Sequence, residues 1–171
     1  MHFSRSEQLK TIASYGLTYL LWAISLPLGG WVIYDLRDMV LTVMAVLTAK
    51  LYHSGTREAF YANLRLRAAD TTSYLLMGVA LVLVIVVIEN YYRLGMLAGH
   101  LWSRVFLVVA SCFGLLCLFG LVNDLMRLII DAFTWRVLFY PVVYGVTAIF
   151  FFGLWRIRRI KESLAPSTPV G

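Results

Sequence analysis

The sequence predicts an all-α, polytopic integral membrane protein. Three observations carry that expectation. Of 171 residues, 61% are hydrophobic and only 14% charged, whereas a soluble domain is roughly half apolar and one quarter charged. The apolar residues lie in long runs, so the solvent they imply is lipid and not only a self-made core. Four of these runs have the roughly 20 residues that a helix needs to cross about 30 Å of hydrocarbon.

The first span is expected over about residues 11–34, behind Arg5 and Lys10. It is too long for the core of a secretory signal, and the following "YDLRD" lacks a small-residue cleavage pattern. Pro27, followed by Gly29 and Gly30, marks a kink within it. A shorter fifth hydrophobic segment is expected at about residues 39–53, including "MVLTVMAVLTAKLY". It spans if Lys50 snorkels and is otherwise re-entrant. Its apolar residues show no one-sided pattern, which favours insertion over lying flat.

Residues 56–69 read as a separate interfacial amphipathic helix. Phe60, Tyr61 and Leu64 recur at helical spacing, and Arg57, Glu58, Asn63, Arg65 and Arg67 occupy much of the remaining surface. Thr56 and Asp70 are candidate end markers, and Arg57, Arg65 and Arg67 are candidate contacts to lipid headgroups. Further spans are expected at about 71–92, 101–124 and 133–155, the last broken at Pro141. "WRIRRIK" then places Arg156, Arg158 and Arg159 among headgroups. Residues 1–162 form a single helical membrane domain in this reading, and 163–171 a flexible tail. Basic residues are too evenly divided between the two faces to orient the chain by the positive-inside rule. Three crossings separate the amphipathic helix from "WRIRRIK", so those two basic clusters lie on opposite faces.

The net charge of +6 does not point to nucleic acid, because the basic residues flank the apolar runs. Cys112 and Cys117 point to different helix faces and read as packed thiols. There is no zinc or CxxC spacing. His2, His53 and His100 lie outside or at the margins of the spans, which disfavours a bis-histidine haem. No HExxH, nucleotide loop or serine-nucleophile context is present. No metal site, catalytic residue or cofactor is expected. A bound lipid is compatible with the composition, and the aromatic "YGVTAIFFFGLW" would also suit a quinone or pigment.

Two constellations are candidate partner or coupling contacts. Glu89 closes a fourteen-residue apolar run, with Arg93 at i+4 in the favourable order for an ion pair. Intramembrane acids are functional candidates, but Glu89 falls within a turn of the interface, where an anchor role suffices. In "GLVNDLMRLIIDAF", Asp124 and Asp131 share a helix face with Arg127 between them. Over about a dozen residues this stretch is similar to lipoprotein signal peptidases, a resemblance that implies a catalytic aspartate pair. The following "FYPVVYGVTAIFF" lacks the second acidic context of that family. An interleaved arginine also neutralises both carboxylates, where a dyad needs one protonated. A salt-bridged turn or a docking site for a partner subunit is the simpler expectation. A stripe of small residues, Ala110, Gly114 and Cys117 or Leu118, with Gly78, Gly145 and Gly153 on other spans, allows close helix approach.

These features predict a small non-catalytic subunit, or an assembly or stabilising factor, of a larger membrane complex. Its partners are expected to be other membrane subunits and lipids, and its place a bacterial inner (plasma) membrane. The alternative is a membrane component of a solute transporter, similar in size and layout to the small membrane subunit of tripartite carboxylate transporters. A membrane aspartyl peptidase is a distant third.

Overall fold

The computed structural model describes residues 5–51, 56–129 and 138–164, with the side chains of 5–10, 50, 51, 56–60, 62 and 63 outside that description. It is all-helical among these residues. The elements are α1 (Arg5–Leu51), α2 (Thr56–Leu97), α3 (Leu101–Ile129) and α4 (Phe139–Leu164). All four are long and apolar enough to cross a membrane.

The element list corrects two expectations. No fifth segment stands apart: Met39 to Leu51 continue α1, which runs unbroken for 47 residues. "YDLRD" is charged, but it contains no helix breaker. Its central cation is also accommodated in place. Arg37 forms an ion pair with Asp70, donates from Nε to Ser73 Oγ at 3.2 Å and sits 4.0 Å over the Tyr74 ring. The amphipathic stretch 56–69 is likewise no separate element but the start of the 42-residue α2. Asp70 faces Arg37 instead of ending a helix, and no Gly or Pro lies between Thr56 and Met77 to interrupt the backbone. His53 lies outside the described residues.

Other boundaries move outward. α2 runs on to Leu97 and α3 to Ile129. Pro141 does not break the last helix; it occupies the first turn of α4, where a missing N–H costs no intrahelical bond. Ser163 and Leu164, expected in the tail, are the last two residues of α4, and 165–171 lie outside the described residues.

The turn between α2 and α3 is short and specified. Gly99 has φ of 71°, a left-handed conformation that glycine adopts without steric cost. The His100 N–H bonds the Gly95 carbonyl at 2.8 Å and the Gly99 N–H bonds that of Met96 at 3.1 Å. That pair of bonds is a Schellman cap, which satisfies carbonyls the helix end would otherwise orphan.

α3 is the centre of the bundle. It packs against α1, α2 and α4; α1 also packs along α2, and among the described helices the α4 backbone approaches only that of α3. The core cluster is Ile88 and Tyr92 of α2 with Leu101 and Val105 of α3, flanked by Leu21 and Trp22 of α1. Trp22 Nε1 donates to the Ile85 carbonyl at 3.3 Å. Gly29 lets Val84 approach, since a Cβ there would lie 3.1 Å from Val84 Cγ1. Between α3 and α4 the contact is aromatic. The Phe113 and Phe151 rings lie 6.5 Å apart and nearly parallel, with Tyr144 at 6.0 Å from Phe113 and Phe106 at 6.2 Å from Phe151.

Candidate functional site

The best-formed polar site lies where the α2–α3 turn meets the C-terminal end of α4. Tyr91, His100, Ser103, Arg104, Trp155, Arg159 and Glu162 contribute to a pocket of about 440 Å³. The Schellman cap positions His100 at the mouth, and its Nδ1 lies 3.0 Å from Glu162 Oε2. That contact joins α4 to the turn.

Arg104 is fixed by its surroundings. Its Nη1 donates to the Tyr91 carbonyl at 2.8 Å, and its guanidinium lies 4.7 Å over the Tyr91 ring. The missing side chain of Gly95 makes room for it, because a Cβ there would lie 2.6 Å from Arg104 Cδ. Arg159 stands 5.3 Å over Trp155. Ser103 is only 5% exposed, and no other described residue hydrogen-bonds to its hydroxyl. Two guanidinium groups thus line the pocket with one carboxylate, which His100 engages, so the pocket carries a surplus of positive charge and suits an anion.

At the opposite end of α3, Asn123 Oδ1 and Asp124 Oδ2 are buried without a hydrogen-bond partner. Asp124 is 5% exposed, whereas Arg127 is exposed and Asp131 lies outside the described residues. Glu89 is half-buried and Arg93 exposed. Among the described residues the contacts within 4 Å between basic and acidic side chains are Arg37–Asp70 and His100–Glu162, the second an ion pair only with a protonated imidazole; neither Glu89 with Arg93 nor Asp124 with Arg127 closes to that distance.

The structure separates these sequence candidates instead of gathering them. Glu89 and Arg93 belong to α2, Asp124 and Arg127 to the far end of α3. Of the candidate headgroup contacts, Arg65, Arg67, Arg156, Arg158 and Arg159 are exposed, and the Arg57 side chain is outside the description. Only Arg159 joins the polar pocket. Sequence reasoning passed over Arg104, Ser103 and Glu162. A signal for Ser103 and Arg104 was present: "LGMLAGHLWSR" places a glycine-capped turn next to His and Arg. The pairing of His100 with Glu162 is long-range and left no local trace.

Cys112 and Cys117 are both free thiols. Cys117 packs close to Gly145, where a Cβ would lie 3.2 Å from its sulfur. The fold and site define a four-helix chain of membrane-spanning length with a basic pocket at one end. Comparison with protein-family models, curated proteins and solved structures gives no match.

Proposed function

We propose that the chain is a small integral membrane subunit, or a stabilising factor, of a larger membrane assembly, without a catalytic centre of its own. The observation that carries this reading is an unmatched arm. α2 has 42 residues against the 29 of α3, and their shared turn keeps the two helices level at one end. At 1.5 Å per residue, α2 and its neighbour α1 therefore extend about 20 Å past α3 at the other. Leu36, Val40, Met44 and Leu47 recur at intervals of one helical turn and are 39%, 41%, 38% and 52% exposed. This apolar stripe runs from the end of the bundle onto the arm, where neither α3 nor α4 covers it. A continuous apolar surface of this kind fits a protein neighbour. Helical spans fit a bacterial inner membrane, since outer-membrane spans are barrels.

The test is co-purification from membranes in mild detergent, comparing the native chain with Met44→Glu and Leu47→Glu. The expected result is a set of membrane proteins retained by the native chain and lost from both variants, with thermal stability unchanged. Retention that ignores the stripe overturns the reading. So does solute-dependent thermal stabilisation of the isolated chain, which belongs to a transporter component.

A further inference from the structure

The basic pocket is the meeting point of two apolar grooves. It shares Tyr91 and Leu107 with a groove of about 480 Å³ that runs between α1, α2 and α3 as far as Leu115. It shares Leu107 with a second groove, of about 310 Å³, between α3 and α4. Leu107 and Ser111 line both grooves and so form the ridge between them. One polar pocket thus adjoins two apolar grooves that lie on either side of the Leu107–Ser111 ridge of α3.

We propose that this end of the bundle binds a two-chained lipid with an anionic phosphate headgroup. Arg104 and Arg159 hold the phosphate, and one chain lies on each side of the Leu107–Ser111 ridge.

The charge balance supports an anion. Glu162 is engaged by His100 at 3.0 Å, while Arg104 and Arg159 are in no ion pair among the described residues. Arg104 commits one N–H to the Tyr91 carbonyl, and a guanidinium has five. The Ser103 hydroxyl, otherwise unpartnered among the described residues, adds a donor inside the pocket.

The dimensions support two chains. From Ser103 to Leu115 is twelve residues of α3, about 18 Å, close to one leaflet of a hydrocarbon core roughly 30 Å thick. Tyr91 and Trp155 stand at the junction of polar and apolar space, the level at which such rings sit in membranes. The inference does not depend on the chain having protein partners.

The experiment uses the whole chain purified in mild detergent, read by thermal unfolding and by native mass spectrometry. The probes are dioleoyl phosphatidylglycerol, dioleoyl phosphatidylcholine, the single-chain lysophosphatidylglycerol and inorganic phosphate. Phosphatidylglycerol is expected to bind at one site and raise Tm. Phosphatidylcholine and the single-chain lipid should do so at least about tenfold less effectively, and inorganic phosphate not at all. Arg159→Gln should weaken phosphatidylglycerol about tenfold, with Arg159→Lys recovering part of the loss. Ser111 is exposed on the ridge, so Ser111→Trp should block both grooves while leaving the lipid-free Tm unchanged. Equal stabilisation by phosphatidylcholine overturns the proposal, as does protection by inorganic phosphate alone. Indifference to both Arg159→Gln and Ser111→Trp overturns it as well. A protein helix that leaves with the Ser111→Trp change, in place of a lipid, assigns the grooves to a different occupant and also overturns it.

Discussion

Ser25 and Tyr92, 67 positions apart, join hydroxyls at 2.9 Å in the most buried part of the bundle. Ser25 Oγ also donates to the Leu21 carbonyl at 2.8 Å. A hydroxyl has one proton, so Tyr92 is the donor to Ser25. Tyr92 is 0% exposed, and its ring belongs to the cluster joining α2 to α3.

Tyr92→Phe should therefore remove a hydrogen bond without leaving Ser25 unsatisfied. The expected loss is about 0.5–1.5 kcal/mol. Tyr92→Ala adds a cavity and should cost about 3–5 kcal/mol. Equilibrium unfolding in detergent measures both, and equal losses from the two changes would mean that the ring contributes no packing.

Glycines 120 and 78 should respond oppositely to alanine. A Cβ at Gly120 would lie 2.7 Å from Pro141 Cγ, and a proline ring cannot rotate away. Gly120→Ala should cost about 1–3 kcal/mol. At Gly78 nothing lies within 4 Å of the new methyl. Gly78→Ala should stabilise by up to about 1 kcal/mol through helix propensity. Thermal unfolding of the two variants side by side decides the sign of each.

Arg37 should matter more than its partner. Its side chain is 12% exposed and serves Asp70, Ser73 and the Tyr74 ring together, while that of Asp70 is 47% exposed. An ion pair so open to solvent contributes less than about 1 kcal/mol, which bounds the loss expected from Asp70→Ala. Arg37→Ala removes three contacts and should cost about 1–3 kcal/mol. Equal losses from the two changes, read by thermal unfolding, would mean that the pair acts alone.

Asp124→Leu should raise the stability of the isolated chain by about 1 kcal/mol, because it replaces a buried carboxylate whose Oδ2 has no partner. If Asp124 also meets a neighbouring subunit, the same change lowers co-purification. Abundance, unfolding and co-purification measured together separate the two effects.

Three helices of membrane-spanning length separate Arg65 from Arg158. Single cysteines at these positions, in a background with Cys112 and Cys117 replaced by alanine, should be labelled from opposite sides of a sealed membrane. A cysteine at Ile12 should share the side of Arg158. Labelling of positions 65 and 158 from the same side would remove one crossing.

The helical class and the four long apolar helices were legible because lipid-length hydrophobic runs are a property of local sequence. Where α1 and α2 end was not. Charge at Asp35, Arg37 and Asp38 reads locally as a boundary, but Asp70 and Tyr74 on the neighbouring helix accommodate Arg37 and the backbone continues. The same limit hid the basic pocket. "WRIRRIK" announced Arg159, but its convergence with Arg104 depends on α4 returning to the α2–α3 turn and on His100 meeting Glu162. Asp124 is legible in the sequence as a charge, but its burial while Arg127 stays exposed is a matter of packing.

The arrangement of α4 has a consequence for biogenesis. Every residue of the central cluster, from Leu21 to Val109, precedes Ile129. A nascent chain emerging in order can therefore complete its core before the last helix is synthesised. α4 then docks as a late addition onto a surface already in place, the Phe106–Phe113 side of α3. Premature termination after Ile129 would release a three-helix particle with that docking surface uncovered, an aromatic ledge open to whatever helix arrives next.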